Sequence, residues 1–310
     1  MRLQGKSKKG ITVLGIPTWL GQEMFGTQLG PDAMRAAGLL RMLRSTGLDV
    51  IDAGNLNLKN QAISSCATGS VCNLRAVRDS LELVAIKVSE IVCSGRIPLV
   101  LGGDHSVAIG SLAGIARHYR SLGLLWYDAH GDSNTPETSP SGYIQGMPVA
   151  ASLGAGHPEL IAVGGYKHKI RPEHVVLVGV RDLDAGEKKF LREKKIKIYT
   201  SEDMYRSGSA AVMEEAVAYL SSRCDGIHLS CDLDVLDPRE ASGVGTPVAG
   251  GVPLAQHLEA MRCLASHKVV TSAEFVELNP LLDKDGRTIE AAIAMIRAFL
   301  GERALEACQA

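Results

Sequence analysis

The sequence predicts an α/β protein in which a mostly parallel sheet of about eight strands is covered by helices on both faces. Three observations support this prediction. Short apolar runs alternate with amphipathic stretches along the whole chain, as in repeated βαβ units. The apolar runs are continuous, which is typical of parallel strands buried on both faces. Glycine is frequent, with 33 residues, as expected where many strand-to-helix turns are tight.

The strands are identified as short runs of aliphatic and β-branched residues, each too short for a typical helix. The longer amphipathic stretches between them predict helices. Gly30-Pro31 opens the first helix, because proline suits the first helical turn. The predicted strands are Ile11–Ile16, Asp49–Asp52, Pro98–Leu101, Leu124–Tyr127, Val175–Val180, Lys197–Tyr199, Ile227–Cys231 and Val269–Phe275, and the clearest predicted helices are Gly30–Ser45, Asn73–Ser94, Val107–Tyr119 and Arg287–Leu300.

Two segments carry no predicted element. The polar segment Asn55–Ser70 predicts a surface excursion. The loop Asp128–Gly142 follows a predicted strand and is rich in Asn, Thr, Ser and Pro. Long polar loops at the carboxyl ends of strands usually line a substrate site, so we expect this loop to do so.

Size, charge and cysteine content narrow the class of protein. The chain has 310 residues, 45% of them apolar, and shows no repeat or low-complexity linker, which favours one domain spanning residues 1–310. A net charge of -1 gives no field that would recruit nucleic acid, and no apolar run is long enough to span a membrane. The seven cysteines are odd in number and lack CxxC spacing, which predicts reduced thiols in a cytoplasmic protein.

Three of the predicted strands end in side chains that bind metal ions. Because the carboxyl ends of parallel strands lie at one edge of the sheet, we expect these side chains to meet in one crevice. The crevice would contain two imidazoles and four carboxylates. The three stretches are Gly102-Gly-Asp-His105, Asp128-Ala-His-Gly-Asp132 and Asp232-Leu-Asp234, and the six candidate ligands are His105, Asp128, His130, Asp132, Asp232 and Asp234.

This set of ligands predicts a two-metal hydrolase. One ion rarely uses six such ligands, whereas two ions can share bridging carboxylates. Carboxylate-rich ligation suits Mn²⁺ better than Zn²⁺. Two such ions about 3.5–4 Å apart can activate a shared water for attack on an electron-poor carbon. Asp132 is a candidate to accept the proton of that water and return it to a leaving amine.

Each stretch alone also has an ordinary structural explanation. An isolated Asp-x-Asp at a strand end is usually a turn or a helix cap, and Gly-Gly-Asp-His can be a tight turn. His130 alone could be a hydrogen-bonded core histidine. Three stretches at three strand ends favour a site over these explanations. The remaining histidines lack such a context and are assigned to the surface or the core: His118, His157, His168, His174, His228, His257 and His267.

These motifs resemble the three signature motifs of the ureohydrolases, and within them the arginases, especially those of bacilli. The resemblance covers nearly the whole chain. It implies an α/β/α sandwich with a central parallel sheet of eight strands, assembled as a homotrimer or homohexamer. The matching stretches also include Gly30-Pro-Asp-Ala-Met-Arg35, Ser139-Pro-Ser-Gly142, Gly146-Met-Pro148, Gly243-Val-Gly-Thr-Pro247 and Ser272-Ala-Glu-Phe-Val-Glu-Leu-Asn-Pro280.

The resemblance implies that two Mn²⁺ ions, or Co²⁺ or Fe²⁺ in their place, support hydrolysis of a guanidinium group to urea and an amine. It assigns His105, Asp128, Asp132 and Asp232 to one ion, and Asp128, His130, Asp232 and Asp234 to the other. It further implies the following substrate contacts: Glu277 anchors the guanidinium with Thr246 in the same pocket wall, Asn134 and Ser141 receive the α-carboxylate of arginine, and Asp184 and Glu187 lie around its α-amino group.

The chain departs from the arginase pattern beside the expected substrate. Arginases usually read Ser-Gly-Asn-(Ile/Leu)-His-Gly where this chain has Ser141-Gly-Tyr-Ile-Gln-Gly146. Tyr143 replaces an Asn that helps to hold the α-carboxylate. Gln145 replaces a His credited with moving protons, and an amide cannot titrate. Val235 also replaces a usual Gly, and Met24-Phe25 replaces an arginine pair common in bacilli.

These departures leave more than one function open. Neutral drift would leave an ordinary hydrolase of L-arginine or a close analogue such as N-hydroxyarginine. An altered pocket could instead select another guanidino compound, such as agmatine. A catalytically weak homologue that binds metal and acts as a subunit or regulator is a third reading. A single-zinc amide deacetylase on a related fold is a fourth, although Glu277 and the bridging acids argue against it.

Overall fold

The computed structural model describes residues 10–58 and 71–307, and the described residues form one eight-stranded sheet. Every strand pair in the sheet is parallel, so the prediction of a mostly parallel sheet is confirmed. The strand order is β2-β1-β3-β8-β7-β4-β5-β6. The strands are β1 Ile11–Gly15, β2 Val50–Asn55, β3 Ile97–Leu101, β4 Leu122–Tyr127, β5 Val175–Val180, β6 Lys197–Thr200, β7 Gly226–Asp232 and β8 Val270–Val276.

Helices cover both faces of the sheet and complete three layers. The α-helices of the described residues are α1 Gly30–Ala36, α2 Leu39–Ser45, α3 Leu74–Cys93, α4 Val107–Ala116, α5 Pro148–Ser152, α6 Pro158–Ile161, α7 Ala185–Glu193, α8 Ser201–Ser207, α9 Ser209–Ser221, α10 Leu254–Ser266 and α11 Arg287–Ala307. The core against one face is built by α1, α2 and α8 to α11, and the core against the other by α3, α4 and α7. This is the α/β/α sandwich that the resemblance implied.

Alternate residues along each central strand fill the two cores. In β4, Leu125 and Tyr127 face the core on the α9 and α10 side, whereas Leu124 and Trp126 face the core on the α3 and α4 side. All four are fully buried, which explains why the strand is apolar throughout its length. In β4, polar side chains therefore appear only beyond the end of the strand, where Asp128 follows Tyr127.

The structure corrects two expectations. The helix predicted over Gly30–Ser45 is two helices, because the chain breaks at Gly38, whose φ of 94° lies in the left-handed region. Cys72 is disulfide-bonded, so the expectation of seven reduced thiols is wrong, and the predicted cytoplasmic location loses that support.

Two further expectations concern the segment after β2 and membrane-spanning helices. Most of the surface excursion predicted for Asn55–Ser70 lies outside the described residues, and its first residue is the end of β2. Among the helices that the structure describes, none is both long and apolar enough to cross a membrane.

Candidate functional site

Four adjacent strands in the middle of the sheet, in the order β3-β8-β7-β4, carry candidate residues at their carboxyl ends. His105 comes shortly after β3, Glu277 directly after β8, Asp232 is the last residue of β7, and Asp128 directly follows β4. Because parallel strands end at the same edge, the fold brings these residues together although 172 positions separate His105 from Glu277. We call the set His105, Asp128, His130, Asp132, Asp232, Asp234 and Glu277 the floor.

His105 lies at the centre of the first cluster in the floor. Its Nδ1 atom is 3.2 Å from Asp128 Oδ2, 3.1 Å from Asp132 Oδ2 and 3.0 Å from Asp232 Oδ2. The same Nδ1 atom is buried and has no hydrogen-bond partner of acceptable geometry. Four ligand atoms that converge without satisfying one another form a cluster that a cation would satisfy.

A second cluster shares Asp128 with the first. His130 Nδ1 lies 3.5 Å from Asp128 Oδ1 and 2.9 Å from Asp234 Oδ2. The two oxygens of Asp128 therefore face two different imidazoles. Five of the six ligands predicted from the sequence thus form two adjoining groups that share Asp128. The sixth, Asp132, joins the first group through its contact with His105.

The floor concentrates negative charge out of contact with water. Burial, together with Asp234 and Asp128, raises the pKa of Asp232 well above its ordinary value. Burial, Asp232 and Asp104 do the same to the pKa of Glu277. Burial lowers the pKa of His105, but its carboxylate neighbours outweigh burial and leave that pKa well above normal. Without cations, protons must therefore neutralise part of this charge, and divalent ions would replace those protons.

The donor set of the floor fits divalent cations. It consists of carboxylate oxygens and imidazole nitrogens, and a pair of ions would use the Nδ1 atom of His105 that is otherwise unsatisfied. Such oxygen-rich sites suit Mn²⁺ and similar ions better than ions that prefer thiolate. The described residues place no sulfur donor in these two clusters.

The backbone of the floor is held in an uncommon conformation. Asp132 and Glu277 have φ angles of 42° and 68°, in the left-handed region that residues other than glycine rarely adopt. Such strain of about 1–3 kcal/mol per residue concentrates at functional sites, where the surrounding structure enforces it.

Close packing explains Gly103 in the first motif, because a Cβ there would lie 1.8 Å from the carbonyl oxygen of Thr18.

A buried hydrogen-bond network supports His105 from below. His105 Nε2 lies 2.8 Å from Ser230 Oγ, which donates to Glu274 Oε1 at 2.7 Å. His228 Nε2 lies 3.2 Å from the same carboxylate oxygen, and Ser111 donates to its other oxygen at 2.5 Å. This network fixes the orientation of the His105 ring, as groups behind metal-binding histidines commonly do.

Sequence reasoning missed this network, although the sequence contains a signal for it. His228 was assigned to the surface or the core, and Ser230 and Glu274 received no role. In β7 the polar residues His228, Ser230 and Asp232 recur at every second position, and β8 places Ser272 and Glu274 opposite the first two. Polar residues with a period of two inside an apolar strand indicate one polar face, which could have been recognised.

Asp128 and Glu277 are also fixed by specific contacts. Trp126 Nε1 donates to Asp128 Oδ2 at 2.9 Å, and the Trp126 ring stacks on His105 with centroids 4.0 Å apart. Glu277 Oε1 accepts from the backbone N–H of His105 at 2.6 Å. Its Oε2 accepts from Gln22 Nε2 at 3.0 Å. No feature of the sequence pattern points to Gln22 as a contact of Glu277.

The floor opens into a cavity of about 110 Å³ that also contains most of the predicted substrate contacts. Asn134 Nδ2 donates to Asp184 Oδ2 at 2.9 Å, and Thr246 Oγ1 donates to Asp234 Oδ2 at 3.0 Å. Glu187 accepts from the backbone N–H groups of Ser133 and Asp184, so it closes the amino end of α7. These residues line the cavity together with Ser141.

The segment 139–146, which we call the rim, forms part of the cavity mouth. Gln145 lines the cavity, and its amide oxygen is buried without a hydrogen-bond partner. Tyr143 is half-buried but is not among the residues that line the cavity. Burial and the nearby charge of Glu23 raise the pKa of its phenol. Met24 and Phe25, which follow Glu23 in the chain, are exposed.

Comparisons with known proteins agree with this geometry. The model of the arginase family matches residues 9–301. An arginase of Bacillus caldovelox is 53% identical over 296 residues, which cover 95% of this chain and 99% of the relative. An arginase of Bacillus subtilis strain 168 is 48% identical over 297 residues, covering 96% and 99%. The native structure of the Bacillus caldovelox arginase superimposes with a TM-score of 0.91 over 94% of this chain and 98% of that one, at 53% identity.

Proposed function

This chain belongs to the arginase family, and from that premise we propose that it hydrolyses L-arginine, or a close analogue such as N-hydroxyarginine, to urea and an ornithine-type amine. The family makes it a hydrolase that acts on the C–N bond of a guanidino group. The observation that carries the proposal is the buried, unsatisfied Nδ1 atom of His105 among three carboxylates.

The floor is proposed to hold two Mn²⁺ ions per chain, with Co²⁺ or Fe²⁺ as substitutes. His105, Asp128, Asp132 and Asp232 would hold one ion, and Asp128, His130, Asp232 and Asp234 the other. When bound, such a pair supplies Lewis acidity and a water of lowered pKa. The shared position of Asp128 between the two histidines supports this assignment.

Glu277 is proposed to orient the guanidinium. Its two carboxylate oxygens accept one hydrogen bond each, from His105 N and Gln22 Nε2. A carboxylate has about four acceptor positions, so about two remain for the substrate. A buried anion facing a planar cation gives a strong and directional contact. The substrate carbon would then be held over the floor.

Asp132 is proposed to transfer the proton. Its carboxylate takes a proton from the attacking water at Oδ and gives it to the nitrogen of the leaving amine. The C–N bond to that nitrogen breaks as oxygen bonds to the carbon, so water is divided between urea and the amine. A carboxylate in this place can act first as a general base and then as a general acid.

The amino-acid end of the substrate is proposed to lie between the rim and α7. Asn134 and Ser141 would receive the α-carboxylate, and Asp184 and Glu187 the α-amino group. All four line the cavity. Tyr143 is proposed to contribute less than the Asn it replaces, because it does not line the cavity. Gln145 would offer its unpaired amide oxygen to the substrate or to water but would not carry a proton.

The wider setting also belongs to the proposal. We propose a single catalytic domain over residues 1–310, a homotrimer or homohexamer, a cytoplasmic location, and no nucleic-acid or membrane partner.

The second candidate function is hydrolysis of another guanidino compound such as agmatine. The position of Tyr143 outside the cavity lining favours it, because a substrate without an α-carboxylate needs fewer rim contacts.

Urea release by Mn²⁺-loaded protein tests the proposal. L-arginine, N-hydroxy-L-arginine, agmatine and guanidinobutyrate would be compared side by side, with Asp132→Asn as the inactive control. The proposal expects the highest kcat/KM for L-arginine or its N-hydroxy analogue. Turnover of agmatine without turnover of arginine would support the second candidate. If protein that holds two metal ions released no urea from any of the four compounds, the result would support a non-catalytic homologue.

A further inference from the structure

A second group of metal-binding side chains lies at the opposite edge of the sheet from the floor. Glu214 is on α9, Cys263 is near the end of α10, and His267 caps the end of α10. His267 precedes β8 by three residues, whereas Glu277 follows the other end of β8. A strand of seven residues spans about 23 Å, so the two groups are well separated.

The helical geometry brings these three side chains together. Cys263 and His267 are four residues apart and therefore project from one face of α10. The adjoining helix α9 packs against α10 and presents Glu214 to that face. Glu214 Oε2 lies 2.6 Å from His267 Nε2 and 3.5 Å from Cys263 Sγ. One donor atom from each residue lies within 4.8 Å of the other two.

One of these two distances already matches a tetrahedral zinc ion, and the other must lengthen. With Zn–S of about 2.3 Å and Zn–O of about 2.1 Å, the sulfur-to-oxygen edge of the tetrahedron is about 3.6 Å, close to the 3.5 Å found here. The nitrogen-to-oxygen edge is about 3.4 Å, so the pair now at 2.6 Å must separate by about 0.8 Å. The Glu214 side chain is 58% exposed, and rotating its carboxylate can supply that movement.

The donor chemistry differs from that of the floor. The floor offers oxygen and nitrogen, whereas this group adds a thiol, which as thiolate favours Zn²⁺ over Mn²⁺. A salt bridge alone would account for Glu214 and His267. It would not explain why a cysteine of the same helix face points at the same carboxylate oxygen.

We propose that Glu214, Cys263 and His267 form a site for one Zn²⁺ ion, with water as the fourth ligand. The Cys263 thiol releases its proton to solvent as the sulfur binds the ion. The ion would join α9 to α10 on the outer face of the sandwich. This site is independent of the guanidino reaction and would stand if the proposed activity were absent.

Cobalt absorption tests the site without relying on activity. The protein is first saturated with Mn²⁺ and then titrated with Co²⁺, whose bond to a thiolate gives a charge-transfer band in the near ultraviolet. Co²⁺ that exchanges into the floor gives no such band, because the described ligands there are oxygen and nitrogen. We expect the band to saturate at one sulfur-bound Co²⁺ per chain and to disappear when Zn²⁺ is added.

Matched variants identify the sulfur. Cys263→Ser should abolish the band, whereas Cys93→Ser, which removes another exposed thiol, should leave it unchanged. Glu214→Gln and His267→Ala should each shift the titration to higher Co²⁺ concentration. Urea release by Mn²⁺-loaded Cys263→Ser should match the wild type if the chain is active. A wild-type protein without the band, or a band that persists in Cys263→Ser, would overturn the site.

Discussion

The floor and the rim of the cavity differ in how firmly the fold determines them. Each ligand in the floor lies at or just after the end of a central strand or on the short turn beyond it, and His105 is supported through Ser230 and Glu274. The rim is a loop of short turns, and its Gln145 has a buried oxygen without a partner. The resemblance described from the sequence predicts an intact family pattern in the floor and an altered one in the rim.

Because of this difference, we expect the floor to determine the reaction and the rim to determine which substrate is preferred. The floor is coupled to the sheet, so a change there disturbs several buried charges at once. The rim is proposed to contact the far end of the substrate, and it can change without disturbing the residues proposed as metal ligands. A chain with an intact floor and an altered rim is therefore expected to keep the guanidino reaction and to differ in substrate preference or in proton transfer.

Loss of the shared carboxylate should have the largest effect. Asp128→Asn is expected to weaken Mn²⁺ binding and to lower kcat by at least about 10³-fold, since the ions supply several kcal/mol of charge stabilisation. Urea release and Mn²⁺ titration would measure this. Asp104→Asn is the matched control, because Asp104 is buried nearby but hydrogen-bonds to Gly21 and Ser106 instead. Equal effects of the two substitutions would contradict the separate role of the floor.

Loss of the anchor in the floor should be the next largest effect. Glu277→Gln is expected to lower kcat/KM for L-arginine by about 10²–10³-fold, because a buried charge pair is worth about 2–5 kcal/mol. Mn²⁺ content should remain that of the wild type. Steady-state kinetics and metal analysis on the same sample check both points. Unchanged kcat/KM would rule out Glu277 as the guanidinium anchor.

A change in the hydrogen-bond network of Ser230 and Glu274 below His105 should have a smaller effect on activity. Glu274→Gln keeps the size of the side chain but removes the charge that accepts from Ser230 and lies beside His228. We expect about tenfold weaker Mn²⁺ activation, with KM for arginine unchanged once Mn²⁺ saturates. A melting temperature measured with and without Mn²⁺ separates this effect from general destabilisation. A lower melting temperature with unchanged Mn²⁺ affinity would make Glu274 merely structural.

Restoring a titratable group in the rim should give the smallest effect, in the opposite direction. Gln145→His is expected to raise kcat by about tenfold, less than full general acid–base catalysis supplies. It should also introduce a pH dependence near the ordinary histidine pKa of about 6.5. Gln145→Asn is the control, since it cannot titrate. Identical pH–rate profiles for both variants would show that proton transfer does not limit the wild type.

Much of the floor could be predicted from the sequence because its ligands follow recognisable apolar runs. His105, Asp128 and Asp232 each mark the end of a strand, and parallel strands share one edge. The order of the strands could not be read in this way, so nothing in the pattern alone placed Glu277 against the backbone of His105. The resemblance to a family was the only reason to expect Glu277 in the site.

Other features depend on three-dimensional contacts that leave weak traces in the sequence. The break at Gly38 was missed because a single glycine within an amphipathic stretch is often tolerated in a helix. The left-handed backbone of Asp132 has no side-chain signature, because the surrounding structure imposes it. The absence of Tyr143 from the cavity lining depends on the path of the loop, which residue identity does not determine.

The manganese content of the purified protein tests the central claim most directly. After saturation with Mn²⁺ and removal of free metal, elemental analysis should find two ions per chain in the wild type and in Gln145→His. Fewer than two should remain in Asp128→Asn. This result would show that the floor is a complete binuclear site whatever the rim selects. One ion or none in the wild type would contradict it.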